Sequence, residues 1–173
     1  MRFGGVILAC VMTAGCQSTS SVAPPVPFDA QAARVIREKG VHRIEGQALF
    51  VTRDGSAHKL AGATVRLVPA TPYSVARFQA LYRGRQSIPP MWAPPADAGP
   101  TYSSYTRTTR ASAQGTFAFD RVAPGTYFVA TSKIYSARGS FTPEGAAMYE
   151  MVRVGPDQPA VSITLVGRQE GRF

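Results

Sequence analysis

The 173-residue chain is poor in the side chains from which most reactive centres are built. It has two cysteines, Cys10 and Cys16, and two histidines, His42 and His58. Neither histidine lies in a motif: there is no His-Glu-x-x-His zinc pattern, no Gly-x-Ser-x-Gly nucleophile elbow and no phosphate-binding glycine loop. His42 opens a strand-like stretch and His58 sits in a turn region, so both are read as solvated, not catalytic. Charged residues make up only 17%, and carboxylates are the scarcer sign, 10 against 19 Lys and Arg, for a net charge of +9. That balance suits nucleic acid, an anionic membrane or an acidic polymer. The basic residues are scattered from Arg34 to Arg172 instead of clustered, which reads as a solubilised surface and argues against nucleic acid. Apolar runs are short as well, and none approaches the roughly 20 residues needed to cross a bilayer.

What the chain does have is alternation. In Gln114–Val129, Phe117 and Phe119 alternate with small or polar neighbours, and Tyr127 and Val129 restart the pattern after Pro124-Gly125. A two-residue period marks a half-buried strand, and Gly and Pro mark turns, so this stretch predicts a strand, a tight connection and a second strand in a sandwich core. The second strand continues through Ser132–Ser136. His42–Thr52 is a strand with Ile44, Gly46, Ala48 and Phe50 on one side and Arg43, Glu45 and Gln47 on the other. Asp54-Gly55 turns the chain, and in Thr64–Pro69 Val65 and Leu67 join Ala63 on one face. After a loop over Ala137–Gly145, Ala146–Val154 and Ala160–Val166 read as the last two strands, the latter with Val161, Ile163 and Leu165 inward.

Four segments in order, Ile44-x-Gly46-x-Ala48, Leu60-Ala61-Gly62-Ala63-x-Val65-x-Leu67, Gly115-x-Phe117-x-Phe119 and Val122-x-Pro124-Gly125-x-Tyr127, resemble the carboxypeptidase regulatory-like domain. The resemblance spans about His42 to Val166 and implies an all-β, transthyretin-like (prealbumin-like) antiparallel β-sandwich of about seven strands. It implies no peptidase activity, since the catalytic zinc domain of that family is separate, and no cofactor or metal is expected. Some transthyretin-like proteins hydrolyse hydroxyisourate with a tripeptide similar to Tyr82-Arg83-Gly84, but there it closes the chain, whereas here it is internal.

The N-terminus resembles a bacterial lipoprotein signal peptide over residues 1–15. Arg2 is followed by the short apolar stretch Val6–Met12, and Thr13-Ala14-Gly15-Cys16 is similar to a lipobox, with Thr13 where Leu is usual. Cys16 would then be the lipidated first residue of the mature chain, leaving no free thiol or disulfide. The alternatives are acylation at Cys10 or an ordinary secretory peptide. Gln17 in place of Asp implies the outer membrane, facing the periplasm. Residues 16–28, rich in Ser, Thr and Pro, read as a tether. Residues 29–40 read as a short helix with Asp29 as N-cap, Ala32, Val35 and Ile36 on one face and Gly40 at its end. Residues 168–173 are expected to be a frayed tail.

Residues 70–102 interrupt the resemblance. Thr71-Pro72 starts a predicted helix over Tyr73–Arg83, and Ser87–Pro100 is too rich in proline for regular helix or a central strand. This insertion supplies the candidate ligand-binding residues: Tyr73, Arg77, Tyr82, Trp92, Tyr102 and the neighbouring Tyr105. Aromatic faces stack on sugar rings or apolar peptide, and Arg pairs with carboxylate or phosphate. The alternative is that Phe78, Leu81 and Trp92 cover an open edge or end of the sandwich. The expectation for function is a lipid-anchored, non-enzymatic interaction or structural module with an envelope protein or glycan as partner. A carbohydrate-binding module is the first alternative and a transthyretin-like enzyme the weaker one.

Overall fold

The computed structural model describes residues 26–92, 100–136 and 143–169, which form a β-sandwich. The chain enters through a 3-10 turn, Ala32–Arg37, and runs into β1 (His42–Val51), the short β2 (Ala57–Lys59) and β3 (Thr64–Pro69). The insertion follows, with α1 (Pro72–Tyr82), a two-residue strand β4 (Ser87–Ile88), a 3-10 turn over Pro90–Trp92 and the single-turn α2 (Pro100–Ser103). Then come β5 (Arg107–Arg110), β6 (Thr116–Val122), β7 (Gly125–Ser136), β8 (Pro143–Val154) and β9 (Ala160–Arg168).

Alternation sorts these strands into two layers. In the four-stranded sheet β1 is central, with β6 and β2 along one side and β9 on the other. The five-stranded sheet runs β4-β8-β7-β3-β5. Between them lie Ile44, Ala48 and Phe50 from β1, Val65 and Leu67 from β3, Phe117 and Phe119 from β6, Tyr127 and Val129 from β7, and Met148, Val152 and Leu165. Full burial of such side chains is worth about 1.5–3 kcal/mol each. The expected strand pair around Pro124-Gly125 is present, but its two-residue link carries the chain from one sheet to the other, not into a hairpin.

Among the described residues every pairing is antiparallel except one: β1 and β9 run parallel, from Arg43 opposite Ala160 to Val51 opposite Arg168. The antiparallel sandwich expected from the sequence is present, and this one parallel ladder within it has no local signal, because alternation carries no information on strand direction. The β9 ladder also extends the domain beyond its expected end, since Gln169 N–H donates to Val51 O at 2.8 Å. The strand expected from Ala146 begins at Pro143, where Ser136 pairs with it, and the intervening loop residues 137–142 lie outside the described residues.

The helix expected over residues 29–40 is a 3-10 turn of six residues. Asp29 Oδ1 accepts from Gln31 N–H at 2.8 Å but caps no α-helix, because residue 32 is alanine and offers no reciprocal bond. With three residues per turn the chain buries Ala33 and Ile36, not the expected Ala32. His42, expected in solvent, is 4% exposed, and its Nδ1–H donates to Gln158 O at 2.6 Å. The helix in the insertion starts as expected: Thr71 Oγ1 accepts from Ser74 N–H, and Ser74 Oγ accepts from Thr71 N–H at 2.8 Å. Its face of Ser74, Phe78 and Tyr82 is buried, with Phe78 stacked 4.2 Å from Phe128. It thereby covers the outer face of the five-stranded sheet, not an edge or an end of the sandwich.

Candidate functional site

The six side chains singled out in and beside the insertion fall into three separate settings. Tyr73 and Arg77 lie one turn apart on α1, and α2 with the turn after it delivers Tyr102 and Tyr105. The three tyrosines meet around the ring of Phe28, the final residue of the expected tether. Its centroid lies 5.4 Å from Tyr73, 5.9 Å from Tyr102 and 5.4 Å from Tyr105. The Arg77 guanidinium sits 5.4 Å from the Tyr102 centroid, and that of Arg37 sits 3.9 Å from Tyr105 while donating to Ser104. Edge-on rings and overlying cations are favourable pairings, so the seat is satisfied by the chain itself. Burial pushes the Tyr102 phenol up to about 12, partly offset by Arg77. The expected ring-stacking platform is therefore filled by Phe28.

Tyr82 belongs to the packing under α1. It is 2% exposed, with Tyr149 at 4.6 Å and Phe78 at 5.6 Å, and burial raises its pKa. Its place in that core explains why the internal Tyr82-Arg83-Gly84 sequence presents no tyrosine to solvent. Trp92 stands apart from both groups, 47% exposed, with the Arg83 guanidinium 5.5 Å from its ring. Cys16 lies outside the described residues. The two histidines cannot act together, because they border opposite ends of β1, which spans about 30 Å at ~3.3 Å per residue.

A separate concavity is one that sequence reasoning missed. On the outer face of the four-stranded sheet, β1 places Glu45 between Ser162 and Ala118, and Gln47 between Thr164 and Thr116. With Arg43, and with Thr109 and Arg110 from the edge strand β5, these residues line an open cleft of about 730 Å³. Its walls are mostly hydrogen-bonding groups, with Gly46, Phe117, Ala118 and Ile163 completing the lining. Arg43 Nε donates to Glu45 at 2.9 Å and Arg43 also pairs with Asp120. Gln47 Nε2 donates to Gln114 O at 2.8 Å, and Ser162 Oγ lies 3.5 Å from Glu45 Oε1. The outward set Arg43, Glu45 and Gln47 was legible in the alternation of β1. Its neighbours, more than a hundred residues later in β9, depend on a pairing that no local pattern encodes.

Such an arrangement offers hydrogen-bond donors and acceptors across a shallow sheet surface, chemistry that can take a polyhydroxylated ligand. No family model matches the chain, and no curated protein matches it either. Solved structures do. A candidate carbohydrate binding protein from Pseudomonas aeruginosa is similar with a TM-score of 0.63 at 23% identity, over 80% of this chain and 97% of that one. The major pilin subunit of Bacillus cereus gives 0.42 at 15% identity, over 72% of this chain and 29% of the pilin. A minor pilin of Streptococcus agalactiae gives 0.41 at 12%, over 79% and 48%. The likeness to the Pseudomonas protein shows that the chain has the same β-sandwich fold, over nearly the whole of that protein.

Proposed function

We propose that this chain is a non-catalytic, carbohydrate-binding module, held at the outer membrane and facing the periplasm by an acyl anchor on Cys16. The observation that carries the reading is the open polar cleft, where Glu45, Gln47, Thr116, Ser162 and Thr164 present hydrogen-bonding groups at strand spacing. The fold shared with a candidate carbohydrate binding protein supports it, as does the resemblance to carboxypeptidase regulatory-like domains, whose role is not catalytic.

The ligand half of the proposal is tested by measuring binding to peptidoglycan fragments, lipopolysaccharide and storage glucans. Gln47→Ala with Thr164→Ala removes two outward hydrogen-bonding groups, each worth roughly 1 kcal/mol, so binding should weaken about tenfold or more. Melting should fall only slightly, because neither side chain is in the core and the one bond lost, from Gln47 to Gln114 O, is exposed. No binding to any of the three glycan classes, or full affinity in the double variant, would refute it. For the anchor, Cys16→Ser is expected to abolish metabolic labelling with palmitate and release the chain from the membrane fraction. Labelling that persists would move the acceptor elsewhere.

A further inference from the structure

Five large apolar side chains are exposed among the described residues: Val41, Met91, Trp92, Ile134 and Met151. Ile134 and Met151 lie on the outer face of the five-stranded sheet, and Met91 and Trp92 follow its edge strand β4. Alternation along β7 and β8 puts Ile134 and Met151 on the same outer face as Phe128 and Tyr149, which α1 covers. Met91 and Trp92 come from the insertion that supplies α1, and are 74% and 47% exposed. Exposed apolar groups gathered on and beside one sheet mark an interaction surface.

The charge on this side selects the partner. From Gly55 to Ala96 the chain contains no Asp or Glu at all, while Arg83 and Arg85, both exposed, immediately follow α1. The Arg83 guanidinium lies 5.5 Å from the Trp92 ring, so cation and indole sit side by side. One carboxylate that reaches the segment, Glu150, is engaged by Gln86 Nε2 at 3.2 Å. An indole and a thioether projecting beside arginines match the layering of a bilayer surface, with apolar groups at the acyl boundary and cations among anionic headgroups.

We propose that Trp92, Met91 and Arg83 form a membrane-docking site that takes an anionic phospholipid surface. This contact goes beyond the glycan reading and is independent of it, since it uses the opposite sheet. It is also compatible in reach with an anchor at Cys16. Twelve residues from Cys16 to Phe28 span at most about 40 Å, whereas Tyr73, against which Phe28 packs, lies only about 15 Å along α1 from Arg83. An acyl chain and Trp92 can therefore occupy the same bilayer, laying the α1 side against it and leaving the polar cleft of the other sheet turned to solution.

The test uses a chain beginning at Gln17, which lacks the apolar leader and any acyl group yet keeps every residue that is buried among those described, from Ala33 to Gly167. Trp92 is the sole tryptophan, so its emission reports on the site alone. On adding vesicles of phosphatidylethanolamine with phosphatidylglycerol, the emission is expected to shift to the blue and the protein to co-sediment. Trp92→Ala should lower partitioning about tenfold and Arg83→Gln about fivefold, the latter only on anionic vesicles. Met91→Ser provides a second, milder variant, and far-UV circular dichroism confirms that each is folded. Emission unmoved by vesicles, as a site for a protein partner would give, or partitioning that survives Trp92→Ala, overturns the proposal.

Discussion

Gly46→Ala is expected to cost about 3 kcal/mol or more, a large share of the ~5–15 kcal/mol that holds a domain of this size together. The glycine lies mid-way along β1, between Phe117 of β6 and Ile163 of β9. A Cβ at this position would stand 2.2 Å from the Ile163 carbonyl oxygen and 2.9 Å from the tip of Phe117. The phenyl ring can swing aside, but the carbonyl cannot retreat without parting β1 from β9. Because β1 bonds to strands on both sides, the damage spreads across the whole four-stranded sheet. Gly55→Ala is the useful comparator. There the backbone has φ of 85° but open space around it, so only the conformational penalty of about 1 kcal/mol applies. Urea midpoints for the two variants should differ accordingly, and equal losses would mean that the close approach is not what Gly46 is there for.

Tyr127→Ala is expected to cost about 3–5 kcal/mol, as for other large aromatic truncations in a core. Tyr127 heads the fully buried side chains, at 0% exposure, and its hydroxyl donates to Ala123 O at 2.8 Å. That bond ties the start of β7 back to the link where the chain crosses between sheets. Tyr127→Phe isolates it and should cost only about 1 kcal/mol, since the ring stays. Calorimetric melting of both variants separates the terms. A phenylalanine variant as unstable as the alanine one would show that the hydroxyl, not the ring, secures the crossover.

The parts of this fold that were legible in the sequence are those encoded within a few residues. Phe117 and Phe119, Val65 and Leu67, and the Thr71-Pro72 helix start each carry their own local signal, and each is found as read. Edge elements carried none. In β5 the residues Arg-Thr-Thr-Arg have no apolar face, because the strand contributes pairing to β3 more than burial. The direction of β9 and the burial of His42 against Gln158 depend on partners over a hundred residues away. The site was divided in the same manner. Aromatic content drew attention to Tyr73, Arg77, Tyr102 and Tyr105, which do assemble, but composition could not reveal that Phe28 already occupies the space between the tyrosines. The polar cleft needed three strands brought into register before it existed at all.

The parallel alignment of β1 and β9 has a mechanical consequence. His42 enters at one end of that pair and Arg168 leaves at the other, so tension between whatever precedes β1 and whatever follows β9 pulls the two strands lengthwise past each other. The hydrogen bonds joining Arg43–Val51 to Ala160–Arg168 are then strained simultaneously instead of peeling one by one. A domain leashed at its front and tugged from its rear would yield abruptly, at high force, while the same sandwich pulled across its hairpin β7–β8 would unzip gradually.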